Sequence, residues 1–167
     1  MALKRWQTLA IGGASSVAIA AAFLGSWEGT TTTAHFDPYA KIWDICNGHT
    51  KGVKPGDTAT QAQCDAWLIE DMTHARAAVA RCIHVPLNPP QEAAFISAAY
   101  NLGPSIVCGS TLQRMANAGN ITGACLQLTD ALNHGNYVGW TFAGGQPVQG
   151  LRNRQTEARN LCIGYFQ

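Results

Sequence analysis

Between Arg5 and Glu28 the chain carries no charged side chain. The centre of that stretch, Thr8 to Gly25, is long enough to cross a bilayer. Lys4 and Arg5 on its N-terminal flank would leave the remaining chain outside the cytoplasm. Its composition argues against a firm anchor. Leu9, Ile11, Val17, Ile19, Phe23 and Leu24 are its large apolar residues, and the rest is largely Ala, Gly and Ser. Three readings fit the stretch: a signal peptide cleaved near Ala20-Ala21-Ala22, a permanent anchor, or a weak span able to leave the membrane. Cleavage at the alanines would strand Glu28 almost at the new terminus, with no helix ahead of it. Six cysteines in 167 residues agree with an oxidising compartment. The length suits one domain with a real core. The formal charge of +1 gives no electrostatic case for a nucleic-acid partner.

The stretch is followed at once by chemistry. In WEGTTTTAHFDPYAKIWDICNGHT, from Trp27 to Thr50, stand Glu28, Asp37 and Asp44, three of only ten acidic residues in the chain. The alternation through Ile42-Trp43-Asp44-Ile45 predicts a short strand. Asp37-Pro38 and Asn47-Gly48 are turn signals. The aspartates are therefore expected on a small β-hairpin, facing Glu28 at the end of a helix. Two carboxylates on different elements across a cleft are what glycoside hydrolysis requires. One stays protonated to give its proton to the leaving oxygen; the other stays ionised to activate water or stabilise positive charge.

Glu28-Gly29, Asp37 nine positions after the acid, and Trp43-Asp44-Ile45-Cys46-Asn47-Gly48-His49-Thr50 together resemble the phage-type lysozymes, glycoside hydrolase family 24. The similarity is greatest to their membrane-tethered endolysins. It continues through Tyr100-Asn101-Leu102-Gly103, Ser110-Thr111-Leu112, Gly123-Ala124-Cys125, Trp140, Ala143-Gly144-Gly145, Gly150-Leu151 and Arg154, and so covers nearly the whole chain from Glu28 onward. The resemblance implies a muramidase that cleaves the β-1,4 bond between N-acetylmuramic acid and N-acetylglucosamine in peptidoglycan, with inversion and without a cofactor. Glu28 matches the general acid and Asp37 the second carboxylate. The family's threonine falls at Asp44, so the water-positioning role is left open between Asp37, Asp44 or both. The family's paired arginines after Gly-Leu are broken, because Gln155 follows Arg154.

The resemblance also implies a signal-arrest-release device. Residues 1–27 would be the signal-anchor and 28–167 the catalytic domain. Residues 8–25 would first lie in the host inner membrane, with the catalytic domain periplasmic, and then leave the bilayer. A monomer is expected.

The remainder reads as helices, giving an α+β chain that is mainly α, a hairpin lobe and a helical C-terminal lobe. Thr60-x-x-Gln63 is a capping-box pattern, and apolar spacing carries a helix from there to about Cys82. Glu70, Asp71, His74 and Arg76 fall largely off its apolar face and read as solvated. Pro90 opens a helix that Gly103-Pro104 closes. Ser110-x-x-Gln113 caps a short helix, another spans roughly 121–132, and a last one about 151–165. The expected disulfides are Cys46–Cys64, Cys82–Cys108 and Cys125–Cys162, one choice among many open to six cysteines.

Other chemistries fare worse. Cys46-x-x-His49 with His35 falls short of a closed zinc pattern. No phosphate-cradling glycine loop and no Gly-x-Ser-x-Gly elbow is present. His49 is expected to brace the cleft floor beside the substrate, and Trp140 and Phe142 are candidates for stacking on sugar rings. Two rivals to hydrolysis remain: a lytic transglycosylase, and a non-catalytic wall-binding domain tethered to the membrane.

Overall fold

The computed structural model describes residues 3–27, 29–38, 41–129, 132–133, 136–137, 141–143 and 146–166. The uncharged N-terminal stretch is two helices, α1 (Arg5–Ile11) and α2 (Ser16–Gly25). The break has a local cause. Gly13 takes φ +74°, a conformation that side chains resist, and the Ser15 side chain then accepts from the Ala18 amide to cap α2. Among the described residues, no helix is long and apolar enough to cross a membrane. Apart from Ile11, which stays exposed, the large apolar groups of this stretch pack into or against the protein interior instead. Ile19, Phe23 and Leu24 are fully buried, and Trp6 lies edge-on to Phe23 with ring centroids 5.3 Å apart.

The hairpin follows, β1 (Thr31–Asp37) antiparallel to β2 (Ile42–Cys46). Its register pairs His35 with Asp44, Phe36 with Trp43 and Asp37 with Ile42. The outer edge of β1 is covered by the following loop, through the Ala34 amide on the Asp57 carbonyl and the Ala59 amide on the Thr32 carbonyl. A small core of Ala34, Ile45, Cys46 and Cys64 holds this lobe together, with Trp43 and Trp67 against it.

The long helix α3 (Gln61–Cys82) runs from this lobe into the helical body. Its start is fixed as the sequence predicts, by a reciprocal capping box between Thr60 and Gln63. Its inward stripe is Cys64, Leu68, Met72, Ala78 and Val79. At the centre sits α4 (Pro89–Leu102), packed against α2, α3 and the last helix. Ala93 to Ala99 are all buried, so this helix is apolar on every side. Its four alanines let neighbouring backbones approach closely. After a 3-10 turn (Pro104–Ile106) come α5 (Thr111–Asn117) and α6 (Ile121–Leu126). The latter stops well short of the expected 132; the backbone continues as two-residue strands β3 (Leu132–Asn133) paired with β4 (Asn136–Tyr137), and β5 (Phe142–Ala143) paired with β6 (Gln146–Pro147). The last helix, α7 (Gln149–Ile163), ends at Gly164 in the left-handed region.

The three expected disulfides are formed: Cys46–Cys64, Cys82–Cys108 and Cys125–Cys162. They tie hairpin to α3, α3 to the segment after α4, and α6 to α7. Such a cross-link typically adds about 2–4 kcal/mol by restricting the unfolded chain.

Candidate active site

The pleat of the hairpin decides which side chains meet. Successive residues alternate faces, and directly opposed residues share one. His35, Asp44 and Asp37 therefore project from the same side, with Phe36 and Trp43 on the other. The two aromatic rings on that second side lie 5.7 Å apart, and Phe36 remains exposed. On the first side, Asp44 is 9% exposed and its Oδ1 lies 3.1 Å from His35 Nε2.

Glu28 and Trp140 lie outside the described residues, but the chain leading into Glu28 is described. Helix α2 ends at Gly25, and Ser26 caps it, its hydroxyl donating to the Phe23 carbonyl at 2.6 Å. The Trp27 amide donates to the Leu24 carbonyl, and its indole Nε1 donates to Glu157 Oε2 at 3.1 Å. Lys4 donates to the other oxygen of the same carboxylate and sits 5.6 Å over the Trp27 ring. The backbone that delivers Glu28 is thus held from the N-terminal flank and from α7 together.

His49 is 5% exposed, with Nδ1 2.9 Å from Asp71 Oδ2. Its ring stacks on Trp67 at 4.7 Å, nearly parallel. Ile45 and His49 exchange both backbone hydrogen bonds, closing the tight loop between them. His49 therefore braces the end of the hairpin against α3. The expectation of four solvated charges on α3 needs one correction. Asp71 is half-buried and serves as the partner of this buried imidazole, because the hairpin folds back over that part of the helix. The zinc alternative is excluded by the pairing of Cys46 with Cys64.

Side-chain hydrogen bonds tie the helical body to the hairpin lobe and α7 to α4. Tyr100, near the end of α4, donates its hydroxyl to the Asn47 carbonyl at 3.1 Å, and the Asn47 side chain donates to Thr30. Arg154 on α7 donates to Asn101 at 2.7 Å. Gln155, standing where a second arginine is expected, is 1% exposed. A separate groove of about 510 Å³ runs between α1, α2 and α3. It reaches Ser26, Thr30 and Asn47, and neither Asp37 nor Asp44 is among the described residues that line it. His35, Asp71 and Glu157 were not legible as partners of the site. Each acts through an element placed by the tertiary fold.

Comparison with known proteins agrees with this fold. Residues 25–158 match the model of the family described as phage lysozyme. The SAR-endolysin of Enterobacteria phage P21 is 33% identical over 167 residues, covering 96% of this chain and 95% of its own. That of Pseudomonas phage phiKMV is 36% identical over 150 residues, covering 89% of each. Among solved structures, a P22 lysozyme mutant superposes with TM-score 0.72 at 29% identity, covering 86% of this chain and 94% of that one. The muramidase domain of SpmX from Asticaccaulis excentricus gives 0.71 at 26% identity, with the same coverage. The active form of P1 phage endolysin Lyz gives 0.73 over 98% of this chain and 94% of its own; at 23% identity it speaks for the fold.

Proposed function

The chain belongs to the phage lysozyme family and is a peptidoglycan-hydrolysing lysozyme, and from that premise we propose that Glu28, Asp37 and Asp44 carry the reaction and that residues 8–25 control it. The single observation that carries the site assignment is the hairpin register, which sets Asp37 and Asp44 on one face just beyond the Glu28 segment. Glu28 protonates the oxygen between N-acetylmuramic acid and N-acetylglucosamine. Asp37 is the principal second carboxylate, stabilising positive charge at the anomeric carbon and, with Asp44, orienting the water that attacks from the opposite side with inversion. The proton lost by the water passes to the carboxylate that holds it. His49 braces the floor, and Trp140 is a stacking surface for a sugar ring.

The N-terminal segment supplies the control. Lying in the inner membrane, residues 8–25 would hold Glu28 at the bilayer surface, away from the wall and from Asp37. Support for this comes from the relatives, which are SAR-endolysins. It comes also from α1 and α2 themselves, whose apolar side chains fill the same core as α3 and α4. Released from the bilayer, the segment becomes the support of the Trp27–Glu28 junction, and the periplasmic enzyme is complete.

Mass spectrometry of products from purified peptidoglycan tests the reaction. Hydrolysis yields reducing N-acetylmuramic ends; a lytic transglycosylase yields anhydro-muramic ends; a wall-binding domain yields neither.

A further inference from the structure

We propose that His35 is a positioning residue for the hydrolytic step, fixing the carboxylate of Asp44 on the face it shares with Asp37 so that Asp44 can orient the attacking water. The inference rests on the muramidase reading above, in which Glu28 is the acid.

Asp44 is mostly withdrawn from solvent, its side chain 12% exposed, whereas the His35 ring is 55% exposed. A carboxylate taken that far out of water needs a donor, since it accepts hydrogen bonds and supplies none. Two basic side chains at the end of the hairpin and in the loop after it are taken up by α3, Lys51 by Glu70 and His49 by Asp71. His35 is placed to donate by the register itself, directly opposite Asp44, with Nε2 3.1 Å from Oδ1.

The resemblance expects a threonine at position 44. A threonine hydroxyl both donates and accepts, and one rotamer suffices to hold a water. A carboxylate at the same position has two equivalent oxygens and can rotate between them. Engaging Oδ1 with His35 removes that freedom and leaves Oδ2 to accept a hydrogen from water. Substituting a carboxylate for the hydroxyl therefore calls for a donor on the facing strand, and this chain has one.

Steady-state kinetics on purified peptidoglycan, with thermal unfolding of each variant, test this. The amide of His35→Gln reaches about where the histidine Nε2 lies, whereas that of His35→Asn reaches only the Nδ1 position. We expect His35→Gln to keep kcat within about threefold of wild type. His35→Asn and His35→Ala should lower kcat about ten- to a hundredfold, the usual scale for a misplaced catalytic group, with KM little changed. Added to Asp44→Ala, His35→Ala should cost nothing further, because the acceptor it holds is gone. Unchanged kcat in His35→Ala, equal losses in the Gln and Asn variants at equal stability, or full additivity with Asp44→Ala would each overturn the proposal. Glu28→Gln separates the two layers. Full activity in that variant defeats the muramidase reading itself; an inactive Glu28→Gln beside unimpaired His35 variants defeats this inference alone.

Discussion

The indole of Trp27 donates to the carboxylate of Glu157 across 130 positions of sequence, and Lys4 shares that carboxylate. Three segments meet there: the flank of the uncharged stretch, the residue preceding Glu28, and the last helix. Removing Glu157 should loosen the backbone that presents the acid. Glu157→Leu is expected to reduce kcat about tenfold, as small misplacements of catalytic groups do. It should lower stability by about 1 kcal/mol, the partial exposure of the pair discounting the charged hydrogen bond. Lys4→Ala should do less in the purified enzyme, because its side chain is half exposed and the Trp27–Glu157 bond remains. Kinetics beside thermal melts would check both.

Asp71 should matter for stability far more than for chemistry. It satisfies a buried imidazole nitrogen, and an orphaned buried polar group costs about 1–3 kcal/mol. Asp71→Ala should lower the free energy of unfolding by that amount in a urea titration. Activity per folded molecule should stay close to wild type.

Acid should remove one surface contribution. The Lys51 ammonium, 3.0 Å away, holds Glu70 below the usual carboxylate range, with a smaller pull from His74. A depressed folded-state pKa stabilises the fold above the unfolded value, and the benefit is lost as pH falls through the folded one. The difference in melting temperature between wild type and Glu70→Gln should therefore be small near neutrality and vanish in acid, as scanning calorimetry across pH would show.

The N-terminal segment should be lockable. Replacing Gly12, Gly13, Ser15 and Ser16 with Leu makes a stronger span. It also strains the Gly13 turn at φ +74° and removes the Ser15 cap that begin α2. Both effects favour the membrane form. Cell fractionation should find the variant retained in the membrane, and culture turbidity should show lysis delayed.

Local signals in the sequence were enough for much of the frame. Thr60 and Gln63 announce the start of α3, Pro90 that of α4, and the alternation around Asp44 the second strand. What was hidden is tertiary. Hydropathy reads Thr8 to Gly25 as one span, whereas a glycine turn and a serine cap divide it once its apolar groups have a protein core to enter. Asp71 looks solvated on a helix drawn alone, because the His49 ring that covers it comes from the hairpin. His35 is silent until the register sets it opposite Asp44.

The central claim is that Glu28 is the acid and Asp37 its principal partner. The most direct measurement is the initial rate of purified peptidoglycan cleavage by wild type, Glu28→Gln, Asp37→Asn and Asp44→Asn at matched folded concentration. Glu28→Gln keeps the side chain's shape and removes its proton, so its rate should fall by at least about a hundredfold. Asp37→Asn should follow, with Asp44→Asn the mildest of the three. A Glu28→Gln enzyme as fast as wild type would contradict the account, and a loss in Asp44→Asn greater than in Asp37→Asn would reverse the roles of the two aspartates.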